Sequence, residues 1–302
     1  MIAIVIPYFK FTFFSETLES LANQTNKNFN VYIGDDASNE GCFALLEQYK
    51  GKFSFTFKRF EFNLGKSSLV SQWKRCIALT ADEEWLMVLG DDDVLSSSYI
   101  SEFYNCLPEI KEKNCKVVRF ASVIIDNNSN QTSSQYVHPK LEKSTDFLFR
   151  RFTNKTRSSL SEYIFRRTAY NKHGFHNYNL AWFTDDRAWL EFSEFKNIYS
   201  INSAFLSFRL SDENISRANY KIHEKELLRL KFFKFIISNH LNKFTRVQQR
   251  HFLLYFEQLV YRHKEVGFHF WLFVFASFLK QFYFIQSIKF TRRVFIQLRR
   301  ND

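Results

Sequence analysis

Three groups of adjacent carboxylates in this 302-residue chain could do chemistry. Asp91-Asp92-Asp93 follows the apolar run Trp85-Leu86-Met87-Val88-Leu89 and Gly90. Three neighbouring carboxylates repel one another unless a cation or hydrogen-bond donors offset the charge. A hard divalent cation with oxygen ligands would do so and would also bind a diphosphate. The plainer alternative is a solvated acidic turn that caps a helix near Ser96-Ser97-Ser98. Asp35-Asp36 ends a second apolar run, Asn30-Val31-Tyr32-Ile33, after Gly34. A strand-end Asp can accept from a nucleobase N–H or a ribose hydroxyl, but the same residues also make turns and caps. Asp185-Asp186 opens a short helical pattern, a place where the helix dipole favours acids whatever their chemistry.

To act together, these acids must reach one edge of a sheet. The chain opens on Ile2-Ala3-Ile4-Val5-Ile6, closed by Pro7. This run has no polar alternation, as in a strand buried on both faces. Leu18, Leu21 and Ala22 then recur at helical spacing within residues 14–26. A strand at 30–33, a helix over 41–50, a strand over 53–60, a helix over 66–80 and a strand at 85–89 follow. This alternation predicts an α/β fold with a mostly parallel sheet. Ligands of such sheets bind beyond the carboxyl ends of the strands. Three of those ends carry Pro7-Tyr8, Asp35-Asp36 and Asp91-Asp92-Asp93, which would form one crevice. Residues 127–135 read as a polar loop, 144–152 and 160–171 as helical pieces, and 175–183 as an irregular aromatic stretch. A short helix over 184–194 and one or two strands over 198–210 come next, and long amphipathic helices begin near residue 220.

Charge is distributed unevenly. The net formal charge is +11, and residues 220–302 hold 16 Lys and Arg against 5 Asp and Glu, so the rest of the chain is neutral. The excess predicts an anionic partner for the C-terminal segment. Cys42, Cys76, Cys106 and Cys115 form no CxxC pair and no zinc-like spacing with His, as expected of free thiols in a reducing compartment. No basic leader precedes the first apolar run, and no apolar stretch is long enough for a membrane span. The expected setting is therefore cytoplasmic.

Six segments, in order, resemble the family 2 glycosyltransferases of GT-A fold: IAIVIPYFK at 2–10, NFNVYIGDDASNE at 28–40, NLGKSSLVSQW at 63–73, WLMVLGDDDVL at 85–95, TDDRAW at 184–189 and FRLSDENIS at 208–216. The resemblance covers residues 1–217. It implies that Pro7 and Tyr8 line the nucleotide pocket, that Asp36 contacts the base (by analogy uracil), and that Asn63, Gly65 and Lys66 border the nucleotide. Asp92 and Asp93 match the last two acidic positions of the DxD-type motif. Asp92 would touch ribose or metal, and Asp93 would hold Mn²⁺ or Mg²⁺ against the diphosphate. Gly90 stands where many relatives carry the first Asp, which leaves the part played by Asp91 open. Asp186 matches the expected catalytic base, with Asp185 in place of the usual Glu. Ser211 stands where many relatives have a His, leaving Arg209, His223 or neither as its substitute. The resemblance implies an inverting transfer from a nucleotide-sugar, by analogy UDP-linked, to a saccharide or lipid-linked saccharide in surface polysaccharide or glycolipid synthesis.

Residues 218–302 form the second expected domain, a basic, aromatic-rich helical segment. Residues 220–302 contain 15 Phe, 4 Tyr and 1 Trp. The near-continuous apolar stretch 268–279 is too short to span a bilayer but long enough to lie in its interface. Lys280, Lys289, Arg292, Arg293, Arg299 and Arg300 follow it, a pattern suited to an anionic lipid surface. The alternative is a helical subdomain that packs its Phe residues into a core or a homodimer. Nucleic acid is not expected as a partner, because no binding motif accompanies the charge. A nucleotidyltransferase is disfavoured because the loop after the first strand, Pro7-Tyr8-Phe9-Lys10-Phe11, has no Gly. A non-catalytic membrane-binding protein on the same fold is disfavoured by the intact acidic residues.

Overall fold

A computed structural model describes residues 1–211, 222–263 and 267–301, the last helix without the side chains of residue 295 and residues 297–301. Of the FRLSDENIS segment, residues 212–216 lie outside the described residues. The chain divides into two compact units, Met1–Asn219 and Tyr220–Asp302.

In the first unit the strands are β1 (Ile2–Tyr8), β2 (Phe29–Asp35), β3 (Ser54–Arg59), β4 (Trp85–Val88), β5 (Val94–Leu95), β6 (Val117–Ile125), β7 (Leu141–Lys143), β8 (Tyr163–Arg166) and β9 (Asn197–Arg209). The helices are α1 (Phe14–Ala22), α2 (Phe43–Glu47), α3 (Leu69–Ile77), α4 (Tyr99–Glu112), α5 (Ser144–Phe152), α6 (Arg167–His173) and α7 (Thr184–Phe192). The strands form one mixed sheet in the order β3-β2-β1-β4-β8-β6-β9-β5, with β7 also paired to β9. β3, β2, β1 and β4 are mutually parallel, so the carboxyl ends of β1, β2 and β4 share one edge. Beyond β4 the sheet is mixed: β8 runs antiparallel to both β4 and β6, whereas β6 and β9 are parallel.

The apolar run of β1 serves both faces of the sheet. Ile2, Ile4, Ile6 and Tyr8 join the core that contains Phe14 and Leu18 of α1 and Phe103 of α4. Ala3 and Val5 join the opposite core, with Cys76 of α3 and Trp189 of α7. This two-residue alternation explains why the run carries no polar positions. One local expectation changes. Tyr163–Arg166, within the stretch expected to be helical, is a strand wedged between β4 and β6. Its aromatic and β-branched residues suit a central strand, and open sheet edges on both sides outweigh local helical spacing; the helix starts only at Arg167.

The second unit contains α8 (Ile222–Asn239), α9 (Arg246–Arg262), α10 (Phe268–Lys280) and α11 (Phe284–Asn301). Consecutive helices pack together. Thr245 starts α9 with a reciprocal capping box to Gln248. Phe232, Phe233, Phe252, Phe256, Phe278 and Phe290 are buried, so much of the Phe content fills a helical core. Among the described residues no helix is long and apolar enough to cross a membrane.

Candidate active site

A cavity of about 610 Å³ opens at the carboxyl edge of the parallel strands. That volume lies within the range of small-molecule sites. Its walls come from Pro7, Phe9 and Lys10 after β1, Asp36 after β2, the loop at Asn63, Gly65 and Lys66, and Trp73 of α3. Gly90 and the triplet Asp91-Asp92-Asp93 close it beyond β4, beside Ser159, Leu160 and Ser161. Three sequence-separated strand ends thus do meet in one crevice, and Lys10 and Lys66 bring cations to it.

The three adjacent carboxylates are used differently. Asp91 Oδ2 accepts the backbone N–H groups of Phe9 and Lys10, both at 2.8 Å. It straps the β1–α1 loop to the end of β4. Asp93 is nearly fully buried; its Oδ1 accepts the Arg209 amide at 3.1 Å, and its carbonyl accepts the Thr17 hydroxyl at 2.9 Å. A methyl group on Gly90 would come within 3.0 Å of both Asp92 Oδ1 and Asp93 Oδ2. The carboxylates of Asp92 and Asp93 therefore converge on the space beside Gly90, which a side chain there would take up. Burial pushes Asp92 up to about 8, reinforced by the charges of Asp93 and Asp91. Burial likewise pushes Asp93 up to about 6, against the pull of Ser161 and the Arg209 amide. A buried and a half-buried carboxylate that cannot both ionise cheaply form a site that demands a proton or a cation.

Among the described residues no three or more His, Cys, Asp and Glu side chains form a ready-made metal cluster. A hard cation held by one or two carboxylates, with phosphate oxygens and water completing its shell, does not need one. The convergent pair Asp92 and Asp93 fits such an ion, whereas Asp91 commits its Oδ2 to two amides.

Arg209, one of the candidates for the place of the His, is engaged on the protein itself. Its fully buried guanidinium donates to the Asp92 carbonyl (3.0 Å), the Asp126 carbonyl (2.8 Å) and Glu16 Oε2 (2.7 Å). It braces the backbone of the triplet from behind. Ser211 is buried, and His223 lies in the first turn of α8, in the second unit.

Asp36 holds the opposite wall. Its carboxylate accepts the amides of Leu64 (2.7 Å) and Gly65 (2.8 Å) and pairs with Arg75. Arg75 itself stacks on Phe60, with 3.9 Å to the ring centroid. A Cβ on residue 65 would lie 2.5 Å from Asp36 Oδ2, so only glycine lets the amide approach this closely. Asn63 Oδ1 closes the same loop by accepting the Lys66 amide at 2.7 Å. Asp36 still faces the cavity, but both its oxygens are already engaged in shaping the loop expected to border a nucleotide.

Two expected site residues, Tyr8 and Asp186, are not among those that line the cavity. Tyr8 shares the facing of Ile2, Ile4 and Ile6, is fully buried against Phe14, and donates its hydroxyl to the Glu40 carbonyl at 2.6 Å. Phe9 and Lys10 take its place. Asp186 is not among the residues that line the cavity: it is 3 % exposed, with Oδ1 3.9 Å from Arg151 Nε. Its neighbour Asp185 is partly exposed, and burial plus the Asp186 charge push it up to about 7. The approach to this pair is strained. Leu180, Ala181 and Phe183 all have left-handed φ, between 53° and 67°. Such backbone costs roughly 1–3 kcal/mol per residue and concentrates at functional sites. The loop before the pair is tied to the cavity wall through Phe175 on Trp73 (5.6 Å) and Ser68 Oγ to Asn177 Oδ1 (2.9 Å).

Lys10 and Trp73 lie within the family-like segments, but neither has a local signal for a role. Arg75 and Ser161 carry no local signal. Ser161 Oγ accepts the Gly90 amide at 3.0 Å across 71 residues, a relation that only folding creates.

A mixed α/β sheet with convergent acids at its carboxyl edge defines a GT-A glycosyltransferase architecture. The chain belongs to glycosyl transferase family 2, whose sequence model matches residues 3–176. Its fold is similar to that of TarS from S. aureus. The TarS 1–349 crystal structure in complex with UDP-GlcNAc matches with a TM-score of 0.62 and 14 % identity, over 89 % of this chain and 74 % of that one. TarS 1–349 in complex with UDP matches with a TM-score of 0.55 and 15 % identity, over 100 % of this chain and 92 % of the other. No curated protein matches the sequence.

Proposed function

We propose that the protein is an inverting, divalent-metal-dependent glycosyltransferase. It moves a sugar from a nucleotide-sugar, by analogy UDP-linked, to a saccharide or lipid-linked saccharide acceptor. The observation that carries this reading is the convergence of Asp92 and Asp93 on one side of a 610 Å³ cavity whose other side is the loop held by Asp36. The similarity to a fold solved with UDP and with UDP-GlcNAc supports the donor class.

In this reading Pro7, Phe9, Asn63 and the Asp36-held loop receive the nucleoside, and Lys10 and Lys66 face the diphosphate. Mn²⁺ or Mg²⁺ would be held by Asp93 together with Asp92 and would supply Lewis acidity to the leaving diphosphate. The acceptor oxygen bonds to the anomeric carbon as the bond from that carbon to the diphosphate oxygen breaks. The diphosphate keeps the electron pair, and the hydroxyl proton passes to a carboxylate. We assign that proton to the Asp185–Asp186 pair acting as one unit. Arg151 lies near Asp186, whereas Asp185 has the proton affinity of a base working near neutrality. The setting is the cytoplasmic side of the cell, in surface polysaccharide or glycolipid assembly.

The test is thermal stabilisation by a panel of nucleotide-sugars with and without Mn²⁺. Metal-dependent stabilisation by at least one UDP-sugar is expected. A panel that stabilises nothing, or equally well in chelator, sinks the reading.

A further inference from the structure

The second unit leaves an apolar surface uncovered. On α10, Phe268 (69 % exposed), Leu272 and Leu279 recur at helical spacing on the solvent side. Phe282, in the turn that follows, is 71 % exposed, with φ at +62°. On α11, Phe284, Ile285 (65 %) and Ile288 (71 %) continue the exposed set, and Ile296 extends it. These are large side chains, Phe282 and Phe284 are in ring contact at 6.1 Å, and exposed apolar side chains gathered in this way mark an interaction surface.

Charge selects the occupant. Residues 267–301 contain no Asp or Glu. Lys280, Lys289 and Arg292 are exposed, Lys280 next in sequence to Leu279, Lys289 next to Ile288, and Arg292 one helical turn beyond Ile288. Arg293, by contrast, is neutralised within the unit by Glu257, at 2.5 Å. The side chains of Arg299 and Arg300 lie outside those described. A second copy of this surface would set bases against bases without an intervening acid. An anionic bilayer surface satisfies both features, taking the rings and aliphatic chains below its headgroups and the bases among its phosphates. α10 and α11 cannot span a bilayer, so they would lie in its plane.

We propose that α10 and α11 dock the protein on an anionic lipid surface, with Phe282, Phe284, Ile285 and Ile288 inserted and Lys280, Lys289 and Arg292 at the headgroups. The proposal stands independently of the donor site.

The full chain is sedimented with phosphatidylcholine vesicles, alone or with about 30 % phosphatidylglycerol, at roughly 0.1 M and 0.5 M salt. Co-sedimentation with the anionic vesicles alone, largely lost at the higher salt, is expected. K289Q/R292Q should weaken partitioning about 25-fold, from roughly fivefold per base. I285S/I288S should weaken it more than about tenfold while far-ultraviolet dichroism stays unchanged, since both side chains are solvent-exposed. If the apolar variant misfolds, the charge variant decides. Equal sedimentation with both vesicle types, wild-type partitioning of K289Q/R292Q, or salt-sensitive self-association or nucleic-acid binding without vesicle binding would each overturn the proposal.

Discussion

Donor affinity in the presence of Mn²⁺ should rise steeply with pH, because the cation must displace protons from Asp92 and Asp93. The pair titrates near 8 and 6. Near pH 7 it therefore carries about one negative charge, and a cation that needs both carboxylates ionised releases about one proton on binding. From those two values, affinity should climb about 100-fold between about pH 6 and pH 8 and level off above it. UDP-GlcNAc is a suitable probe, because its diphosphate is esterified at both ends and does not itself titrate in this range. Calorimetry in two buffers of different ionisation enthalpy reads the proton directly. Asp92→Asn should remove the upper step and flatten the profile, whereas Asp186→Asn should leave it intact. A flat profile for the wild type, or an affinity that falls as pH rises, would refute the assignment of the pair as the cation-demanding site. The metal-free protein should show the opposite trend in stability. Both folded-state values exceed the ordinary Asp value of 3.8, so the folded state binds more protons than the unfolded chain. Stability from these groups is full below about pH 4 and is lost as pH rises toward about 8. Asp92→Asn should therefore raise Tm near pH 8 in chelator while impairing metal-dependent binding.

Further substitutions probe the rest of the site. Gly65→Ala sets a methyl 2.5 Å from Asp36 Oδ2 and should weaken donor binding roughly 10- to 100-fold by breaking a charge-assisted hydrogen bond to the loop, with Tm changing little; wild-type affinity by calorimetry would remove Asp36 from its loop-holding part. Asp91→Asn keeps an oxygen that can accept from Phe9 and Lys10, so metal-dependent UDP-sugar binding should stay within a few-fold of wild type, whereas Asp93→Asn should cost about 100-fold or more; equal losses would show that the triplet acts as one ligand. For the base, Asp185→Asn and Asp186→Asn should each preserve donor binding and lower turnover by about 100-fold or more, measured as UDP release with acceptor. Normal turnover in either variant assigns the proton to the other residue, and normal turnover in both removes the pair from catalysis.

The linear order of residues determined the parallel half of the sheet and the place of the crevice. Continuous apolar runs must be buried on both faces, and acids directly after them must emerge at one edge. It also determined that residues beyond about 220 are helical and basic. Local pattern could not divide the acids among their tasks, because that depends on partners far away in sequence. Asp91 meets Phe9 and Lys10 across more than 80 residues, and Arg209 reaches Glu16 across 193. Tyr8 beside Pro7 looked like a wall of the site, but strand alternation turned it into the α1-side core. Tyr163–Arg166 became a strand because two strands flanked the place it fills. Asp186 comes to lie against Arg151 because α7 is packed through Trp189, stacked on Tyr163 at 4.0 Å. Composition and periodicity thus decide which elements form and roughly where reactive groups gather. Only tertiary packing, by choosing the donor that faces each carboxylate, decides which of those groups are left to meet a ligand.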